Sequence, residues 1–95
     1  MSTLDQDRRR ETRVMFTMHA PVATASGELI DDSSTTDISE LGVRLRLRGQ
    51  LEPGQIVDVF LSPRPERCRV VWTSPDGPND ELFVGLEFTR PLPGP

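Results

Sequence analysis

The stretch Gly42–Arg48, GVRLRLR, alternates apolar residues with arginines over its last six positions. Alternation with a period of two is typical of a β-strand with one buried and one solvated face. Its apolar residues are predicted to face a core, and Arg44, Arg46 and Arg48 to form a solvated outer face rather than a ligand surface. This segment gives the clearest structural signal in the chain, and it predicts a β fold.

Five further β-type runs, each bounded by turn residues, lie on either side of this strand, at 14–25, 26–39, 55–62, 67–74 and 81–88. Pro21 interrupts the first run and predicts an edge or a bulge, and Gly85 in the last run predicts a bulge or a close backbone approach. No segment has the periodicity of an amphipathic helix of ten residues.

Six short strands in 95 residues predict a single domain, a small six-stranded antiparallel β-barrel. Closure is expected because so short a chain can hardly cover two exposed sheet edges. We expect residues 1–13 to form a flexible basic N-terminal arm, 14–89 the barrel and 90–95 a proline-rich tail. No C-terminal helix is expected, since three of the last five residues are proline.

Composition argues against several classes of function. The net charge of −4 disfavours long-range attraction to DNA, RNA or an anionic membrane, and there is no apolar spanning run or signal segment. With one cysteine and one histidine, the chain offers no persuasive metal site or nucleophile–base pair, and Cys68 is predicted to fill the core. We therefore expect a cytoplasmic protein that is not an enzyme and has no cofactor.

Two short motifs carry the functional signal. Four of the eleven arginines lie in the stretch RRRETR (residues 8–13), where Arg9 and Arg13 form an R-x-x-x-R pair. Asp37, Ser39 and Gly42 form a D-x-S-x-x-G loop between two predicted strands. Each motif alone has an ordinary explanation: a solvated tail for the first, and for the second a turn whose polar side chains bond local backbone and whose glycine permits a positive backbone angle.

The order of these motifs is more specific than either motif alone. R-x-x-x-R, two strand regions, D-x-S-x-x-G, and then RVVW and VGLEF follow one another along most of the chain. In this order the sequence resembles a PilZ domain, the bacterial receptor module for the second messenger cyclic di-GMP. The resemblance implies a β-barrel and a ligand site made of Arg9, Arg13, Asp37, Ser39 and Gly42.

The chemistry of the ligand fits these residue types. An arginine fork can bond the O6 and N7 acceptors of guanine, while a carboxylate such as Asp37 can accept from the N–H donors of its other edge. Ser39 can donate to a phosphate or hold the loop, and Gly42 lets the backbone come close. In the family, the position before the arginine pair influences ligand number, so Arg8 implies a stacked pair of ligands. Trp72 is expected in the core or at a lip of the barrel rather than as a stacking platform.

The resemblance leaves other functions open. A PilZ-type protein-interaction adaptor that binds no nucleotide is the main alternative. A small barrel for single-stranded nucleic acid is disfavoured by the negative charge and by the scarcity of exposed aromatic residues. Many PilZ domains carry a helix that covers one barrel end, and TRPLPGP (residues 89–95) offers none. We expect that end to be covered by a second protomer in a homodimer, by a protein partner, or by nothing. Any signal is expected to pass through non-covalent contact.

Overall fold

The structure is a computed structural model that describes residues 12–61, 64–77 and 79–90. It contains eight strands: β1 (Val14–Met15), β2 (Val22–Thr24), β3 (Leu29–Ile30), β4 (Ser33–Ile38), β5 (Gly42–Arg48), β6 (Ile56–Leu61), β7 (Arg64–Pro75) and β8 (Glu81–Phe88). Every pairing is antiparallel, which confirms the predicted all-β class. The described residues form no helix, and so none with the length and apolar character to cross a membrane.

The strands form one sheet in the order β1-β4-β5-β8-β7-β6-β2-β3. Because β1 and β3 lie at its ends, the hydrogen-bonded ladder is not the closed ring of six strands that the sequence predicts. The two sides of the sheet are nevertheless joined by one segment, residues 14–24. Its first part bonds β4, with Ala20 N donating to Ser33 O at 2.8 Å, and its second part bonds β6, with Phe60 N donating to Pro21 O at 2.8 Å.

The difference in strand number has a local cause. The predicted run 14–25 contains both β1 and β2, and the chain changes partner strand next to Pro21, which lacks an N–H to continue one ladder. The predicted run 26–39 contains both β3 and β4, separated by Asp31 and Asp32. The other four predicted runs each correspond to one strand.

The core lies on one face of the sheet, where the alternating residues of the long strands meet. On β5 the apolar residues Val43, Leu45 and Leu47 are at most 2% exposed, while the three arginines that alternate with them are exposed on the other face, as predicted. Cys68 is fully buried in the same core, which confirms its expected role. The buried cluster comprises Ala20, Val22, Ile30, Val43, Leu45, Leu47, Leu51, Val57, Val59, Leu61, Cys68, Val70, Val84, Leu86 and Phe88.

Candidate ligand-binding site

A β-bulge in β4 determines which way Asp37 points. Thr35 pairs with the inward-facing Leu45 of β5, and the register then shifts so that Asp37 pairs with the outward-facing Arg44. The extra residue is Thr36. If Thr36 instead paired with Arg44 in an unshifted register, Asp37 would pair with Val43 and face the core, since a one-residue shift turns side chains to the opposite face.

The carboxylate of Asp37 has partners on both oxygens. Arg13 Nε donates to Oδ1 in a charge-assisted hydrogen bond, and Thr36 Oγ1 donates to Oδ2 at 3.3 Å. The Nη1 atom of Arg44 is 3.7 Å from Oδ2. The Asp37 side chain is only 11% exposed, so these cationic and hydroxyl donors replace most of the water that a carboxylate otherwise requires.

Ser39 holds the loop between β4 and β5. Its Oγ accepts hydrogen bonds from the backbone N–H groups of Leu41 at 3.1 Å and Gly42 at 3.3 Å, while Ser39 N donates to Gly42 O at 2.9 Å. Arg13 Nη1 also donates to Ser39 Oγ at 3.4 Å. Of the two roles open to Ser39, the structure shows that of holding the loop.

Gly42 is required for a reason that the sequence did not indicate. Its backbone is not in the positive-φ region, so the expectation of a positive backbone angle is wrong. A Cβ atom at this position would instead overlap the carbonyl oxygen of Leu86 on β8. The glycine therefore permits close approach of the loop to the neighbouring strand.

A second β-bulge, in β7, determines the direction of Trp72. Val70 pairs with the inward-facing Leu86, and the register shifts at Val71 so that Trp72 pairs with Gly85. The indole lies over Gly85, where a Cβ atom would overlap its Nε1 atom. The close approach that the sequence predicted at Gly85 is thus confirmed. Trp72 is 39% exposed and lies outside the core.

The two bulges bring polar and aromatic side chains into one row. Asp37 pairs with Arg44, Arg44 with Gly85, and Gly85 with Trp72, so the row crosses four adjacent strands on the outer face. A cleft of about 300 Å³ lies along it, lined by Arg13, Leu41, Gly42, Val43, Arg44, Val71, Trp72, Gly85, Leu86 and Glu87. The row therefore supplies ionic groups on one side of the cleft and an indole on the other.

The cleft combines positive charge with exposed apolar surface. Arg13 and Arg44 line it, and Glu87, the acidic group in the lining, is ion-paired with Arg69 on the next strand. Leu41 and Val71 are each 47% exposed beside the exposed indole of Trp72. Cationic forks suit oxygen acceptors and anions, and apolar and aromatic surfaces suit flat rings. A planar, anionic molecule fits this combination.

Of the six predicted site residues, Arg13 and Gly42 line this cleft, and Asp37 and Ser39 lie beside it in contact with Arg13. Arg8 and Arg9 lie outside the described residues.

Sequence reasoning missed Arg44, which it assigned to a solvated face, and it placed Trp72 no more closely than in the core or at a lip. The register that pairs Arg44 with Asp37 depends on the bulge, which leaves no clear trace in residue types.

In a comparison with protein families, the family model of the PilZ domain matches residues 7–94, nearly the whole chain. No curated protein matches the sequence.

Proposed function

The chain belongs to the PilZ family, and we propose that it is a receptor for cyclic di-GMP that responds by ordering its N-terminal arm and signals through a protein partner. The observation that carries this proposal is the contact of Arg13 with both Asp37 and Ser39 beside one cleft. Residues that are 24 and 26 positions apart in sequence, and that belong to the two halves of the family's binding signature, therefore meet at one place.

Guanine recognition is the first part of the proposal. The guanidinium of Arg13 is complementary to the O6 and N7 acceptors of guanine, and the carboxylate of Asp37 to the N–H donors on its other edge. In the absence of ligand the two side chains bond each other. A guanine then exchanges one ion pair for two sets of hydrogen bonds, one with Arg13 and one with Asp37.

Phosphate binding and stacking form the second part. We propose that Arg8 and Arg9, which precede the described residues, contact the phosphates, and that Arg8 accommodates a second, stacked ligand. Trp72 offers an indole face to a base at the other side of the cleft. Cyclic di-GMP has two guanines and two phosphates, so one molecule presents the flat rings and the charge that this lining accommodates.

The third part concerns the signal. Ligand contacts with Arg8 and Arg9 would order the arm that precedes Arg13 against the sheet, and the ordered arm would offer a surface for a partner. We propose that another protein binds that surface. We place this receptor in the cytoplasm as part of the same proposal.

Calorimetric titration of the purified protein with cyclic di-GMP, and in parallel with cyclic di-AMP, tests the proposal. Adenine lacks the O6 acceptor and the N1–H donor, so we expect binding of the guanine compound and a loss of roughly 1–3 kcal/mol for each bidentate contact with the other. Equal affinity for the two cyclic dinucleotides would contradict specific recognition of guanine. No binding of either would favour the nucleotide-independent adaptor.

A further inference from the structure

The three arginines on the outer face of β5 have different surroundings. Arg46 is held by Asp76, with Nε 2.7 Å from Oδ2, and lies over the ring of Phe83 at 5.0 Å. Arg48 is 3.8 Å from Asp32. Arg44 is the member of this set that lines the cleft. Since the three residues share a strand and a face, this difference points to a role for Arg44 that its neighbours do not have.

The requirement for such a role comes from Asp37. Its side chain is 11% exposed, and a carboxylate this poorly hydrated is costly unless a cation or several donors accompany it. In the ligand-free protein the closest cation is Arg13. If Arg13 turns to a guanine, as proposed above, Asp37 loses that partner at the moment when its own geometry must be fixed to read the base.

We propose that Arg44 is a positioning residue that takes over the Asp37 carboxylate when ligand draws Arg13 away, an inference that rests on the proposed function. Arg44 is the direct cross-strand partner of Asp37, and its Nη1 is 3.7 Å from Oδ2. That separation exceeds the ~2.7–2.9 Å of a charge-assisted hydrogen bond, so the pair has room to tighten. The Arg44 side chain is 48% exposed and has space to move.

This role differs from direct contact between Arg44 and a ligand phosphate. A positioning residue acts through Asp37, so its removal should matter little once Asp37 itself no longer carries a charge. A phosphate contact would be independent of Asp37, and its removal would also lower the salt dependence of binding. The two roles are therefore separated by a double-mutant cycle measured at two salt concentrations.

The first experiment is titration with cyclic di-GMP of the wild type, Arg44→Ala, Arg44→Lys, Asp37→Asn and the double variant Arg44→Ala/Asp37→Asn. We expect Arg44→Ala to weaken binding about tenfold, Arg44→Lys to recover most of the loss, and the double variant to bind within about twofold of Asp37→Asn. Arg48→Ala is the matched control, because this arginine is on the same strand face, similarly exposed and loosely paired; we expect it to bind like the wild type.

Wild-type affinity in Arg44→Ala would overturn the inference, as would an additive loss in the double variant together with a weaker salt dependence.

The second experiment needs no ligand and uses the substitution Arg13→Ala to imitate the departure of Arg13. Urea unfolding should show that Arg44→Ala lowers the midpoint clearly more in the Arg13→Ala background than in the wild type. An equal loss in both backgrounds would show that Arg44 does not take over Asp37. If the wild type fails to bind cyclic di-GMP, the proposed function fails, and this second measurement still decides whether Arg44 holds Asp37.

Discussion

The indole of Trp72 occupies the space above Gly85 that a side chain at position 85 would need. The two residues are paired across β7 and β8, and the bulge at Val71 brings them face to face. Only a residue without Cβ fits beneath the ring. The orientation of the single tryptophan of the chain, and with it one side of the cleft, therefore depends on a glycine in the neighbouring strand.

We expect Gly85→Ala to displace the indole, to shift tryptophan emission and to lower the free energy of unfolding by about 1–3 kcal/mol, the usual cost of overpacking. Gly49→Ala is a suitable control, because the three atoms nearest to a Cβ there are side-chain atoms of Ile30, the nearest at 3.2 Å, and it lies away from the indole. Emission spectra and urea unfolding measure both effects. An unchanged spectrum in Gly85→Ala would mean that Trp72 does not depend on Gly85.

Trp72 should also report ligand binding. Because it is partly exposed at the cleft and the chain has no tyrosine, its emission is expected to be quenched during titration with cyclic di-GMP. Replacement by Leu should weaken binding by about 1–3 kcal/mol, the value typical of a lost base–aromatic stack. Saturable binding detected by calorimetry without any change in emission would place the bases away from the indole.

Arg13→Ala is expected to abolish or greatly weaken ligand binding and also to lower stability. If residues 1–13 were a flexible arm, as the sequence predicts, this substitution would leave unfolding nearly unchanged. The structure instead pairs it with the poorly exposed Asp37, and removal of one partner of such a pair leaves a carboxylate with fewer donors. We expect a loss of about 1 kcal/mol in urea unfolding. Arg64→Ala, at an exposed position on β7, is the control and should leave unfolding unchanged.

Cys68 gives a prediction on alkaline stability. Burial raises the pKa of its thiol to about 12, and the charges of Glu66 and Asp58 act in the same direction. In the unfolded chain the thiol ionises near pH 8.5–9, so folding stability is fully present below that range and falls as pH rises toward 12. The decline approaches about 1.4 kcal/mol per pH unit.

The composition allows the effect of Cys68 on alkaline stability to be separated from that of other titrating side chains. The chain has neither lysine nor tyrosine, so Cys68 is the side chain that titrates between pH 9 and 12. Urea unfolding at several pH values should show the decline in the wild type and its absence in Cys68→Ala. The same slope in both proteins would assign the effect to another cause. Native Cys68 should also resist thiol reagents that label the unfolded chain.

How far the sequence determines the structure can be judged from individual residues. The alternation on β5 predicted correctly which side chains are buried, because burial on one face imposes a period of two. Gly85 was correctly read as a close approach. Asp37 and Ser39 were assigned to the site from the resemblance of the motif order to a PilZ domain, but their contact with Arg13 required the fold. The register that places Arg44 opposite Asp37 could not be predicted, because it depends on hydrogen bonding across strands and not on residue type.

The bulge at Thr36 puts the two halves of β4 out of phase. Thr35 faces the core opposite Leu45, and Asp37, two residues later, faces outward opposite Arg44, although a regular strand would place both on the same face. Deleting Thr36 would keep every residue of both motifs and would leave Asp37 opposite Arg44 in a regular ladder, with its carboxylate still facing outward. Alternation counted from the first half of β4 is therefore no guide to the direction of the aspartate, and chains with and without the extra residue can present it to the same cleft.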